Sequence, residues 1–188
     1  VRQARAIDGH RPLTFEQSSD PGACRVQHLV DFVCMSRYYG WYENSGDLTP
    51  AVLQGCLLHE LDAWHERFHQ PVLMLEFGAD AVAGMHSDPP VMFSEEYQAE
   101  VIRQVGDALD RRPWIIGEHV WNFADFMTKS GLTRVMGNRK GVFTRERQPK
   151  LAAHALRQRW YGCGAAERPL NQLRWADARA LHRAADSL

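Results

Sequence analysis

The feature that most constrains this chain is the order in which short apolar runs alternate with amphipathic stretches. Four runs read as strands: Arg11 to Phe15, Val30 to Met35, Pro71 to Leu75, and Trp114 to Ile116 continuing towards Trp121. Runs this short with little polar alternation suit strands covered on both faces, as in parallel sheets. Between them lie helical patterns. Ala51 to Phe68 puts Leu53, Leu57, Leu61, Trp64 and Phe68 on one stripe, and Pro71 follows where a helix must stop. Ser94 to Leu109 offers Ser94 as a cap and turns Tyr97, Val101, Val105 and Leu109 inward, while Lys150 to Trp160 turns Leu151, Ala155 and Leu156 inward. The β-α-β-α order predicts a parallel sheet with right-handed crossovers.

Four strands do not close a (β/α)₈ barrel, which takes about 250 residues. With 188 residues, the chain is an open α/β sheet or part of a barrel completed by sequence outside it. Residues 162–188 are rich in Ala and Arg and poor in large apolar groups, and read as a peripheral helix or tail. The net charge of −1 gives no reason to expect nucleic acid, and no apolar stretch is long enough to span a bilayer. Val1 to Arg5 carry no apolar core of a signal peptide, and the absent initiator Met suggests a fragment or a processed product. The four cysteines, Cys24, Cys34, Cys56 and Cys163, form no CxxC pair and read as free thiols. No Asn-x-Ser/Thr acceptor occurs, which favours cytoplasm over lysosome as the compartment.

In parallel α/β folds the chemistry gathers at the C-terminal ends of strands. Three of the four runs end there in polar and aromatic residues: Ser36 to Tyr42, Glu76-Phe77-Gly78, and Glu118 to Asp125. Rings beside carboxylates suit a carbohydrate site, since rings pack against sugar C–H faces and carboxylates do acid/base or nucleophilic work. The same residues also suit a solvated strand end and core aromatics. Arg134 to Gly141 forms a cationic loop between glycines, either a solvated basic turn or a place where Asn138 and Lys140 converge on a carboxylate. His65-Glu66-Arg67-Phe68-His69 matches the HExxH zinc signature, yet His69 stands two residues before Pro71 and no glycine-spaced third ligand follows. Two exposed histidines at a helix C-terminus are the better reading, and no metal or other cofactor is expected.

RYYGWY (37–42), LEFGADAVAGMH (75–86), DPPVMFSEEYQ (88–98), GEHVWNFADFMT (117–128) and TRVMGNRKGVFTRERQPKLAA (133–153) together resemble β-glucuronidases of glycoside hydrolase family 2. The resemblance covers residues 4–161 and implies the C-terminal half of a (β/α)₈ TIM barrel, its fifth to eighth strands. It implies hydrolysis of β-D-glucuronides with retention, Glu76 as the nucleophile, and Tyr38, Tyr42, Trp121, Arg134, Asn138 and Lys140 as substrate-binding residues. Asn138 and Lys140 would grip the glucuronate carboxylate. The implied partners are the glucuronide, the N-terminal half of the enzyme, and further copies in a homo-oligomer of the full-length protein. Two departures stand out. Ser36 replaces an Asn common in bacterial members, and the Asn-Glu-Pro motif that carries the family's acid/base is absent. A non-catalytic remnant or assembly partner that keeps the fold is the alternative.

Overall fold

The computed structural model describes residues 1–162. Four parallel strands form one sheet in sequence order: β1 (Glu16–Gln17), β2 (Val33–Ser36), β3 (Val72–Glu76) and β4 (Ile115–Glu118). A short α1 (Arg2–Ile7) precedes them. Six residues of wide, π-type turn (Ala51–Cys56) lead into α2 (Leu57–Phe68), α3 (Glu95–Leu109) crosses from β3 to β4, and α4 (Leu151–Arg157) follows β4. The sheet therefore holds half the strands of a (β/α)₈ barrel, in the order such a barrel requires. Among the described residues, no helix is long and apolar enough to cross a membrane.

The helix stripes pack as their spacing demands. Leu53, Leu57, Leu61 and Trp64 meet Val33, Met35, Val72 and Met74 in one cluster, joined by Tyr97, Val101, Val105 and Leu109 from α3. Burying each large side chain contributes about 1.5–3 kcal/mol. Ser94 caps α3: its Oγ accepts the Tyr97 amide at 3.2 Å. His69 closes α2 in the left-handed conformation, its N–H reaching the His65 carbonyl.

Several sequence expectations change here. Residues 11–15 form no strand. Pro12 has no amide hydrogen to give a ladder, the Leu13 amide is taken by the Asp31 carboxylate at 2.6 Å, and pairing starts only at Glu16↔Cys34. The second strand begins at Val33 rather than Val30, whose amide closes a tight turn onto Gln27. The fourth ends at Glu118 and does not continue as strand to Trp121. On α4 the buried pair is Ala152 and Leu156, four apart, while Leu151 and Ala155 lie further out because Leu151 is the first helical residue and points to solvent. His65 is not an exposed histidine. It stacks on Trp114 (4.4 Å between centroids) and its Nδ1 lies 3.1 Å from the Gln70 carbonyl oxygen. Cys24, Cys34 and Cys56 are free thiols. Cys163 and residues 163–188, most of the expected peripheral helix or tail, lie outside the described residues.

Candidate active site

Glu76 is the last residue of β3 and stands opposite Ser36, the last of β2, where the register slips by one residue. The ladder continues across the slip, with the Arg37 amide bonded to the Glu76 carbonyl at 2.9 Å, so the Glu76 backbone is held at the sheet's rim. The Tyr38 hydroxyl donates to Glu76 Oε2 at 2.7 Å. Burial first, then the hydrogen bond to the Glu76 carboxylate, holds the Tyr38 phenol far above tyrosine's ordinary range. It therefore stays a donor at any physiological pH. The Ser36 hydroxyl, at the same rim, is buried without a hydrogen-bond partner among the described residues.

From Tyr38 the site extends ring by ring. Tyr38 meets Tyr42 edge-on at 5.1 Å. The Tyr42 hydroxyl accepts a hydrogen bond from Lys140 Nζ at 3.1 Å. The ammonium lies 4.6 Å from the Tyr42 ring centre, 4.8 Å from Trp41 and 5.7 Å from Tyr38, distances at which a ring's negative face attracts a cation. Lys140 is fully buried, while Tyr42, 43% exposed, lies over it. A second acceptor for the ammonium is Asp80 Oδ2. Arg134 places its guanidinium 5.7 Å from the outer Tyr42 ring.

The Asn138–Lys140 turn is held from three sides. Asn138 Oδ1 accepts the Lys140 amide at 3.0 Å, an Asx-type turn that leaves the amide's Nδ2 to donate elsewhere. The Asn138 backbone pairs both ways with Phe126, at 2.8 and 3.2 Å. Gln98, buried on α3, directs Nε2 at the carbonyls of Ala79, Lys140 and Gly141. Below the turn, Lys150 reaches Asp125 at 3.0 Å and the carbonyls of Ala81 and Arg139. Burial pushes the Lys150 ammonium below lysine's ordinary range, with Asp125 pulling the other way. Gly141 permits this packing, since a Cβ there would run into the backbone of Ala124 and Asp125. Gly78 does the same between Glu76 and Asp80: its φ is +147° and a Cβ would stand 2.6 Å from the Trp121 carbonyl oxygen.

Six of the seven residues singled out from the sequence thus form one connected set: Glu76, Tyr38, Tyr42, Lys140, Asn138 and, from the solvent side, Arg134. Trp121 joins through the backbone, its amide bonded to the Phe77 carbonyl at 2.9 Å. Its ring lies edge-on to Phe126, 6.2 Å away, and makes no ring contact with the other six among the described residues. Sequence reasoning missed Asp80, Gln98, Asp125 and Lys150. Gln98 was detectable as a polar residue beside Tyr97 and Val101 on an otherwise apolar stripe. Asp80 gave no signal of its own, because its partner lies 60 residues away in sequence.

Arg37, inside the aromatic stretch, turns from the site and pairs with Glu60 of α2, which also accepts the Tyr39 hydroxyl at 2.9 Å. Beside them a cleft of about 770 Å³ opens between α2 and the loops after β1 and β2, with Ser36, Tyr38, Tyr42, His59 and Glu60 on its walls. Among the described residues no group of three or more His, Cys, Asp or Glu side chains is placed to hold a metal ion.

Residues 1–164 match the model of the glycosyl hydrolases family 2 TIM barrel domain. The chain is 51% identical over 157 residues to a β-glucuronidase of Paenibacillus borealis, covering 84% of this chain and 26% of that protein. The human β-glucuronidase is 43% identical over 163 residues, 86% of this chain and 25% of the relative. Among solved structures, the β-D-glucuronidase of Dictyoglomus thermophilum superposes with a TM-score of 0.81 at 49% identity, over 85% of this chain and 27% of its own. A β-glucuronidase from Ruminococcus gnavus, solved in complex with D-glucaro 1,5-lactone, gives 0.77 at 43% identity, over 85% and 28%. The chain spans about a quarter of the length of these relatives. With four parallel strands in barrel order and residues 1–164 matching the family's TIM barrel domain model, the chain belongs to glycosyl hydrolase family 2, within its TIM barrel domain.

Proposed function

We infer that this chain supplies the nucleophile and the uronate receptor of a β-glucuronidase. The observation that carries the reading is the Tyr38 bridge. One tyrosine donates to Glu76 and, through Tyr42, shares a wall with the Lys140 ammonium. A carboxylate that attacks the anomeric carbon and a cation that receives the sugar's own carboxylate must lie a single sugar ring apart, and the aromatic wall that joins the two supports that reading.

In a retaining mechanism Glu76 attacks the anomeric carbon and the glycosidic oxygen leaves with a proton from a second carboxyl group about 5–5.5 Å away. Water, deprotonated by that same group, then cleaves the glycosyl ester and frees Glu76. The Tyr38 hydroxyl orients the carboxylate before attack and loses its acceptor as the ester forms. Asn138 Nδ2 and the remaining N–H of Lys140 meet the substrate carboxylate in charge-assisted hydrogen bonds, with Arg134 adding positive charge from outside. Reaching Lys140 requires the substrate to displace the Tyr42 ring.

The second carboxyl group comes from sequence outside this chain, so the isolated polypeptide turns over little. The sheet edges at β1 and β4, unpaired among the described residues, favour docking with the complementary half. The test combines the chain with the missing part of the enzyme and offers p-nitrophenyl β-D-glucuronide. Cleavage with retained anomeric configuration, lost in Glu76→Gln, is the expected result. Undiminished cleavage by Glu76→Gln would remove the nucleophile assignment. No cleavage by the assembled wild-type enzyme would leave the fold-keeping, non-catalytic partner as the reading.

A further inference from the structure

Lys140 does not wait for a substrate with its charge uncompensated. Its ammonium is paired with Asp80, itself 2% exposed. The other oxygen of that carboxylate accepts the Arg139 amide at 2.7 Å. One side chain therefore fixes both the backbone of the Asn138–Lys140 turn and the tip of its lysine. Asp80 sits four residues beyond Glu76, on the loop that leaves β3 through Gly78. This loop is anchored at both ends: Glu76 lies in the sheet, and the Ala81 amide bonds to the Arg139 carbonyl at 3.0 Å.

We propose that Asp80 is a positioning residue of the uronate receptor, setting the Lys140 ammonium and the Asn138 amide at a fixed distance from the nucleophile. The proposal rests on the glucuronidase reading. Ammonium geometry supports it. Of three N–H donors, Asp80 takes one and the Tyr42 hydroxyl another, which leaves one to meet an incoming carboxylate. An unpaired lysine in the same place would turn towards solvent or the nearest backbone carbonyl, because a buried ammonium without a counter-charge is costly. Asp80 prevents this, at the expense of sharing the cation with the substrate. The nucleophile and the specificity element thereby hang from one five-residue segment, Glu76 to Asp80, and a shift of that segment moves both.

Asp80→Asn tests this. With its one oxygen kept as the acceptor for Arg139 N–H, the amide presents an NH₂ donor to the ammonium. Two readouts are needed. The first uses the 188-residue chain and measures labelling of Lys140 by an amine-reactive reagent, resolved by peptide mass spectrometry. Labelling of a buried amine needs local opening, so release from Asp80 should speed it by about tenfold or more. Asp80→Glu, which restores the charge, should bring it most of the way back. The second uses the assembled enzyme. There kcat/KM for p-nitrophenyl β-D-glucuronide should fall about 10- to 100-fold, the range for one charge-assisted hydrogen bond, mainly through KM. The loss on the matching glucoside should be much smaller.

Unchanged labelling would show that Asp80 does not hold the lysine and would end the proposal. A rise in glucuronide kcat/KM would make Asp80 a competitor for the cation instead of its positioner, and would end it equally. Equal losses on glucuronide and glucoside would reduce Asp80 to a structural residue. If the assembled wild type cleaves neither substrate, the glucuronidase reading fails, and the labelling result still decides whether Asp80 holds Lys140. If Asp80→Asn does not fold, it is compared with Lys140→Met and the double variant. A double variant that folds like Lys140→Met supports the pairing, and independent penalties refute it.

Discussion

Replacing Gln98 by leucine removes the hinge between α3 and the Asn138–Lys140 turn, and its cost can be worked from the hydrogen bonds. Gln98 Nε2 faces three buried carbonyls, of Ala79, Lys140 and Gly141, at 3.0–3.1 Å. Lys140 keeps a second donor, the Asn122 amide, also at 3.0 Å. Ala79 and Gly141 have none among the described residues. Each orphaned buried carbonyl costs about 1–3 kcal/mol. Against this, the Gln98 Oε1 is already buried without a partner among the described residues, and leucine removes that one orphan. The net destabilisation is about 2 kcal/mol, the difference between two orphans made and one removed. For a domain of this size that lowers Tm by about 4–8 °C. Thermal and urea denaturation of the chain, followed by far-UV circular dichroism, measures it. An unchanged midpoint, with Gln98→Leu as stable as wild type, would refute the claim that this one amide ties the turn to α3. A loss several times larger would show that the turn detaches as a whole.

The other predictions concern the cap, the receptor, the core and a loop. Ser94→Ala should cost about 1 kcal/mol by releasing the first turn of α3, read as a lowered urea midpoint at constant m-value. In the assembled enzyme Lys140→Ala should depress glucuronide cleavage far more than glucoside cleavage, and matched losses would remove the receptor role. Trp64→Ala, deleting a fully buried ring stacked on Phe68, should cost about 3–5 kcal/mol, measurable by the same unfolding curves. His86 pairs with Glu96 at 2.7 Å, and this hydrogen bond raises the imidazole above histidine's ordinary value. A raised folded value means the clasp is complete below about pH 6.5 and lost as pH climbs through the folded pKa. Proteolysis within residues 84–93 should therefore quicken as pH rises above about 6.5, and His86→Ala should flatten that dependence.

Legibility in the sequence followed the range of the interaction. Periodicity located α2 and α3 and their inward faces, because a stripe at three- and four-residue spacing has one way to bury itself. It located β3, whose apolar run ends at a carboxylate. It failed at residues 11–15, where an apolar run with Pro12 resembles a strand but the pairing partner, Asp31 and its neighbours, diverts the backbone. It also misread His65, whose exposure is decided by Trp114 arriving from another segment. The resemblance named seven candidate residues, and it could do so because those motifs are local strings. Asp80, Gln98 and Lys150 lie inside the same strings but were given no role, because they act through partners 60, 42 and 25 residues distant.

What the sequence alone determined, then, is the parallel α/β order, the family, and the type of residue at each strand end. These depend on local pattern, on hydrophobic period and on the steric limits of proline and glycine. Only the tertiary structure decided that Tyr38 reaches Glu76, that Lys140 is buried under Tyr42, and that Asp80 already holds its charge. A side chain's partner and its burial are set by which segments the sheet brings together, and no local stretch of sequence encodes that meeting.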